Sequence, residues 1–158
     1  MAQEIERKFL VTGDFKQAAC NHTHIVQGYI SATKEHTVRI RIRDDKGYIT
    51  IKGPSTDNGL SRYEWEKELS LCEAQELMQL CKTGVIDKVR YLVKSGQHIF
   101  EVDEFHGANE GLIVAEVELQ SPDEEFLKPS FIGQEVTGIP RYYNSHLMEY
   151  PYSKWSGQ

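Results

Sequence analysis

The chain has 158 residues, 27% charged and 39% hydrophobic, which suits one globular domain (1–158) and excludes wholesale disorder. Its net charge of −6 argues against a nucleic-acid binder held by phosphate contacts. Cys20, Cys72 and Cys81 form no C-x-x-C pair, and no run approaches the ~20 apolar residues of a membrane span, so the expectation is a cytoplasmic protein without disulfides or a cysteine zinc site.

Gln3 to Val11 reads as a strand, because side chains two apart share one face. Glu4, Glu6 and Lys8 then point one way, and Ile5, Arg7 and Phe9 the other. Residues 15–23 read as a connector, and His22-Thr23-His24 as polar surface rather than a metal site. Ile25 to Ala32 is β-branched and aromatic, the second strand, with Gln27, Tyr29 and Ser31 on one face. His36 to Asp44 alternates strictly, with Arg39, Arg41 and Arg43 opposite Val38, Ile40 and Ile42. Asp45-Lys46-Gly47 reads as a turn, and Tyr48 to Gly53 as a strand carrying Thr50 and Lys52 on one face. Residues 53–59 have loop composition. Leu60 to Ser70 puts Arg62, Glu64, Glu66 and Glu68 on one face.

At Ser70 to Lys82 the period changes to that of a short amphipathic helix, with Glu73 near its start and Gly84 past its end. Val85 to Lys94 is strand-like, with Lys88 and Arg90 sharing a face. After a turn at Ser95-Gly96, Gln97 to His106 carries Glu101 and Asp103. Leu112 to Gln120 carries Glu116 and Glu118. In the tail, Pro122 to Glu125 reads as a helix start closed by Pro129, and Arg141 to Glu149 as a last helix.

The charges segregate by sign from strand to strand. Exposed ion pairs contribute only ~0–1 kcal/mol, and like charges along one strand repel, so a solvated surface gains little from such blocks. A lumen holding a polyanion and its cations accounts for both kinds. Arginine suits bidentate contact with phosphate oxygens, and carboxylates suit hard divalent ions. The expected fold is mainly β (α+β), an eight-stranded antiparallel β-barrel with a few helices packed outside.

On these residues the chain resembles the CYTH domain, also called the triphosphate tunnel metalloenzyme superfamily. The matching pieces are Glu4-x-Glu6-x-Lys8, Arg39-x-Arg41, Lys52, Glu64-x-Glu66, Lys88-x-Arg90, Glu101-x-Asp103 and Glu116-x-Glu118. The tail around Glu135-Val136-Thr137 and Arg141-Tyr142-Tyr143-Asn144 is similar as well. The resemblance is nearest to small bacterial inorganic triphosphatases. It implies a tunnel that hydrolyses a small-molecule triphosphate with Mg²⁺ or Mn²⁺, without a membrane or nucleic-acid partner. It implies a phosphate clamp of Lys8, Arg39, Arg41, Lys52, Lys88 and Arg90. Metal binding falls to Glu4, Glu6, Glu64, Glu66, Asp103, Glu116 and Glu118, with Glu101 and Asp103 open to the alternative of orienting basic partners. Lys8 and Tyr29 take the places of a catalytic dyad. Arg43, Arg62 and Glu68 share the inward faces at the tunnel mouth. Thiamine triphosphate hydrolysis, cyclic AMP synthesis from ATP and non-catalytic polyphosphate or nucleotide binding are the alternatives on the same fold. Oligomeric state is left open.

Overall fold

Alternation in the sequence becomes nine strands and two α-helices in a computed structural model that describes residues 3–56, 58–81 and 84–155. The first five strands are β1 (Gln3–Val11), β2 (Ala19–Ala32), β3 (Thr37–Arg43), β4 (Lys46–Thr56) and β5 (Ser61–Leu69). Helix α1 (Leu71–Met78) leads to β6 (Ile86–Ser95), β7 (His98–Phe105), β8 (Ile113–Glu118), the short β9 (Ile132–Glu135) and helix α2 (Asn144–Glu149). All pairings are antiparallel, and the order β5-β4-β3-β2-β6-β7-β8-β1 closes on itself because β1 also pairs with β5. This is the expected eight-stranded barrel, with β9 attached outside the ring to β1. No helix among the described residues is long and apolar enough to cross a membrane.

The outer and inner faces separate as the period of two requires. Outside, Phe9, Val93, Phe100, Val102, Ala115 and Val117 form a buried cluster, roofed by Phe15, Phe126 and Phe131 from the connecting segments. Helix α1 covers β3 and β4 through Ala74, Leu77 and Met78 against Ile40, Ile42 and Ile49. A capping box starts this helix: the Ser70 hydroxyl accepts from the Glu73 N–H at 3.0 Å, and the Glu73 carboxylate accepts from the Ser70 N–H at 3.1 Å. A second cluster lies on inward-facing positions. Leu10 and Phe105 follow the charged positions along their strands, Ile86 and Val114 precede them, and all four pack with Val136, Tyr142, Leu147 and Trp155 of the tail. The charged lumen therefore ends on an apolar floor built by the C-terminal segment.

Several expectations need correction. Residues 19–23 are not connector: β2 begins at Ala19, and its first part pairs with β6 alone, from Ala19↔Val93 to His24↔Val89. The polar sequence there hides a strand held by main-chain bonds on one edge. The expected loop at 53–59 is strand as far as Thr56, with a register shift between Lys52 and Ser55 absorbing Pro54. Asp57 of that loop and Lys82 of the expected helix lie outside the described residues. The β3–β4 turn falls at Asp44 and Asp45, with Asp44 at φ 54°.

The tail departs further. No helix forms after Pro122. Asp123 and Glu124 turn their carboxylates onto local donors, Ser121 Oγ at 2.9 Å and the Gln120 N–H at 2.5 Å, and Phe126 is drawn against Phe9 and Phe100. Strand β9 is an added element. The last helix is shorter than expected, a 3₁₀ turn at Pro140–Tyr142 followed by α2.

β1 shares one edge between two partners. Its start pairs with β5, from Gln3↔Tyr63 to Ile5↔Ser61, and its end pairs with β9. The gap between them is filled by backbone: a Cβ on Gly59 would lie 2.5 Å from Gly138 Cα, and one on Gly138 would strike the Asn58 carbonyl oxygen. Both glycines also have positive φ, 89° and 76°. Gly138→Ala should cost on the order of 2 kcal/mol or more in chemical denaturation. Gly13→Ala, whose added carbon meets only ordinary contacts at 3.5 Å and beyond, should stay within ~0.5 kcal/mol.

Candidate active site

Strand order turns the signed strands into two half-walls. β4, β3, β2 and β6 are contiguous and bring Lys52, Arg39, Arg41, Arg43, Lys88 and Arg90 together. β7, β8, β1 and β5 complete the ring and bring Glu101, Glu116, Glu118, Glu4, Glu6, Glu64 and Glu66 together. Tyr29 lies within the basic half and Lys8 within the acidic half. The cavity between them is ≈ 240 Å³. That is below the roughly 300–1,000 Å³ of sites for drug-sized ligands, so the cavity suits a small, compact ligand.

Opposite charges pair where the half-walls meet. At the β4–β5 boundary Lys52 Nζ is 2.8 Å from Glu4 and 3.5 Å from Glu64, while Arg39 is 3.6 Å from Glu66. Thr50 bridges the last pair, accepting from Arg39 at 3.0 Å and donating to Glu66 at 2.7 Å. At the β6–β7 boundary Asp103 accepts from Arg90 at 2.8 and 2.9 Å and from Lys88 at 2.7 Å. Arg90 also reaches Glu101 at 3.3 Å.

Away from these seams the charges crowd their own kind. Burial pushes the Arg41 guanidinium down to about 9, helped by Arg39 and Arg90. Its Nε finds only the Gln27 side-chain carbonyl, at 2.8 Å. On the other half, burial raises Glu6 well above the usual carboxylate range, reinforced by Glu116 and Glu4. Burial and neighbouring carboxylates raise Glu64 and Glu118 too. Glu116 is the exception: burial pushes it up, but Lys8, the hydrogen bond from Glu6, Arg90 and Lys88 together hold it below its ordinary value. Crowding of Glu6 against Glu116 and Glu4 thus opposes its ionisation, while the cations around Glu116 favour that of Glu116.

Lys88 is fully buried, and burial lowers its ammonium to about 7 although Asp103 opposes the shift. It also donates to the Asn144 side chain at 3.0 Å. Lys8 donates to the Tyr142 carbonyl at 3.2 Å and sits 5.2 Å over the Tyr143 ring. Tyr29 lines the same cavity, its hydroxyl 3.5 Å from the Gln27 side-chain nitrogen. Among the described residues no hydrogen bond joins Lys8 to Tyr29. All the clamp and dyad residues expected from sequence line the cavity, as do six of the seven expected metal ligands. Asp103 does not: it is 2% exposed, and both its oxygens are taken by Lys88 and Arg90. His24, expected to be polar surface, pairs with Asp87 at 2.7 Å outside the lumen.

Sequence reasoning did not single out Gln27, Thr50, Tyr143 or Asn144 as site residues. Gln27 and Thr50 share the inward parity of charged neighbours, a signal that was available. Tyr143 and Asn144 fall in the tail segment that resembles the family, but only the tail's path brings them to the lumen. A latch fixes that path: Arg7 grips Glu135 at 2.8 and 2.5 Å, Thr137 donates to Glu135 at 2.7 Å, and the Lys8 N–H donates to Thr137 at 2.9 Å.

A sequence model of the CYTH domain matches residues 2–143. An inorganic triphosphatase of Acetivibrio thermocellus is 47% identical over 156 residues, covering 98% of this chain and 99% of its own length. One of Nitrosomonas europaea is 34% identical over 149 residues, covering 91% of this chain and 95% of its own. A solved structure of an inorganic triphosphatase, 30% identical, matches with a TM-score of 0.66 over 94% of this chain and 95% of that one. A Hippeastrum protein, regarded as an adenylyl cyclase and reported with a dominant triphosphatase activity, is 16% identical with a TM-score of 0.61, covering 76% of this chain and 81% of its own; it shares the fold.

Asp103 should be visible in acid unfolding. Burial raises its carboxyl, but Arg90 and Lys88 outweigh that and hold it at about 2 against an ordinary 3.8. A depressed carboxyl stabilises the fold above the ordinary value and loses that contribution as pH falls from 3.8 through about 2. The contribution is on the order of 2 kcal/mol, and both cationic partners stay protonated throughout this window. Asp103→Asn should therefore flatten the stability–pH curve between these values and lower neutral stability by about 3–5 kcal/mol. Denaturant titrations at several pH values check both.

Proposed function

Because the chain belongs to the CYTH domain family, we propose that it hydrolyses inorganic triphosphate with the help of a divalent metal ion, residues 1–158 acting as one domain. One water adds across a phosphoanhydride bond, yielding diphosphate and phosphate. The observation that carries this reading is the basic half-wall facing an acidic one across a ≈ 240 Å³ cavity. The names of the two curated relatives support the substrate. So does the lining: its aromatic rings are Tyr29 and Tyr143 and its large aliphatic side chain is Leu60, a poor platform for a base or a thiazolium.

In this reading Arg39, Arg41, Lys52, Lys88 and Arg90 hold phosphate oxygens, and catalysis is mainly positioning and charge stabilisation. Asp103 fixes Lys88 and Arg90 rather than a metal ion, since its oxygens are already engaged. The raised Glu6, Glu64 and Glu118 are the groups that gain from a hard cation. Among the described residues no three His, Cys, Asp or Glu side chains converge closely enough to cage an ion alone. Glu4, Glu6, Glu64, Glu66, Glu116 and Glu118 would therefore hold Mg²⁺ or Mn²⁺ together with substrate oxygens and water. When bound, the ion supplies charge neutralisation on the phosphates and acidifies a coordinated water. Lys8, swinging from the Tyr142 carbonyl toward Tyr29, is the group assigned to accept the proton of the attacking water.

Phosphate release from tripolyphosphate should vanish in excess EDTA and return with added Mg²⁺ or Mn²⁺; full activity after verified metal removal would overturn the reading. Lys8→Ala should lower kcat about 10²–10⁴-fold with little change in substrate binding by calorimetry, and Tyr29→Phe should follow more mildly. Arg39→Ala should instead raise KM and lower kcat as well, because it contacts phosphate in ground and transition states alike. If Lys8→Ala chiefly weakens binding and Tyr29→Phe is silent, Lys8 belongs to the clamp.

A further inference from the structure

Lys8 lies in a gap between two ladders. The tail-side edge of β1 pairs with β5 through Ile5 and with β9 from Phe9. Between them the Lys8 carbonyl accepts from the Val136 N–H at 2.8 Å, but the Lys8 N–H donates to a side chain, the Thr137 hydroxyl, at 2.9 Å. One hydroxyl therefore stands in for a strand at this residue.

That hydroxyl is not free to turn. Thr137 donates to Glu135 Oε2 at 2.7 Å, which leaves its lone pairs for the Lys8 N–H. Glu135 is held in turn by the outward-facing Arg7, whose Nε and Nη2 donate to its two oxygens at 2.8 and 2.5 Å. The guanidinium is pinned as well, 5.3 Å from the Phe126 ring centroid and 5.8 Å from that of Phe9. The hydrogen bond from Arg7 lowers the Glu135 carboxyl and so keeps it an acceptor for Thr137. The two side chains of this pair are 28% and 33% exposed, and pairs so exposed add little to stability. What sets the pair apart is its place beside Thr137. From Thr137 the tail runs on to Tyr142 and Tyr143, where the Lys8 ammonium donates to the Tyr142 carbonyl at 3.2 Å and lies 5.2 Å from the Tyr143 ring centroid. The backbone and the ammonium of Lys8 are thus both referred to one anchor.

We propose that Arg7, Glu135 and Thr137 are positioning residues, a brace that fixes Lys8 for its part in the reaction and acts through Lys8 rather than on the substrate. The inference rests on the triphosphatase reading. Steady-state kinetics on tripolyphosphate with Mg²⁺ test it in Arg7→Ala, Thr137→Val and Thr137→Ser, the first two also combined with Lys8→Ala. Assays run well below each melting temperature, so loss of fold does not enter kcat. Valine keeps the shape of Thr137 and removes only its hydroxyl. Thr137→Val should lower kcat about 10- to 100-fold with KM nearly unchanged, the size expected of a misplaced catalytic group and less than the loss of Lys8 itself. Arg7→Ala should follow in the same parameter by a smaller factor. Thr137→Ser, which restores the hydroxyl, should recover most of kcat. In the Lys8→Ala background neither change should lower kcat further, because the group they position is gone.

Full kcat in Thr137→Val, no recovery in Thr137→Ser, or losses that multiply with that of Lys8→Ala would overturn the proposal; the last is what a merely structural role produces. A wild type that releases no phosphate fails the triphosphatase reading and the brace with it, whereas wild-type hydrolysis with Thr137→Val at full kcat fails the brace alone. If Lys8→Ala chiefly weakens binding, the same comparison is made on tripolyphosphate affinity by calorimetry. The brace then stands if Thr137→Val weakens that affinity and adds nothing to Lys8→Ala, and falls if the affinity is unchanged or the losses multiply.

Discussion

The rest of the structure depends on like charges held side by side. Arg39, Arg41, Lys88 and Arg90 on one half-wall, and Glu6, Glu64, Glu116 and Glu118 on the other, are brought close by closure of the barrel. Closure is stabilised by the outer apolar faces, where Phe9, Phe100 and Val117 are fully buried or nearly so. The lumen stores the electrostatic cost. Ion pairs at the two seams offset part of it, and the shifts in Arg41 and Glu6 show what is left. A polyanion with its cations neutralises both halves at once, which neither neighbouring strands nor solvent can do within so small a space.

The floor of the lumen and the position of Lys8 come from one feature. β1 leaves β5 after Ile5, and the freed edge is taken over by Val136 and Thr137. The Val136 N–H donates to the Lys8 carbonyl at 2.8 Å, so the same short stretch closes the barrel wall and fixes the backbone of a site residue. From there the tail carries Tyr142 and Tyr143 to the Lys8 ammonium and Asn144 to Lys88. The bidentate Arg7–Glu135 pair works on the outer side of this junction and anchors it. A residue facing outward on β1 thereby sets the surroundings of one facing inward.

Where reading the sequence failed, local chemistry was outvoted by pairing. Ala19 to His24 is polar and poor in β-branched residues, yet it is strand because β6 offers it a continuous edge. Pro54 suggested a loop, but a register shift lets β4 run on to Thr56. Pro122 to Glu125 has the composition of a helix start, but Phe126 is held in the outer cluster and Glu124 caps the Gln120 N–H. Asp103, open from sequence between holding a metal ion and orienting basic partners, has both oxygens on Lys88 and Arg90, which pairing of β7 with β6 brings beside it.

By itself the sequence determined which side chains face inward. The period of two is local, so Glu4-x-Glu6-x-Lys8 or Arg39-x-Arg41 declares its shared face without knowledge of any neighbour. The sign of each strand's charge is local as well, and the eight barrel strands follow from it with boundaries shifted by a few residues. Which strands stand beside which is not local. The β2–β6, β8–β1 and β1–β5 pairings join segments far apart in sequence, and only they convert scattered basic and acidic strands into two opposed half-walls. Partnership was likewise decided by the tertiary structure: it gave Lys52 to Glu4, Asp103 to Arg90, and the tail's Asn144 to Lys88. Facing follows from the geometry of one strand, whereas hydrogen-bond partners follow from the closure of all eight.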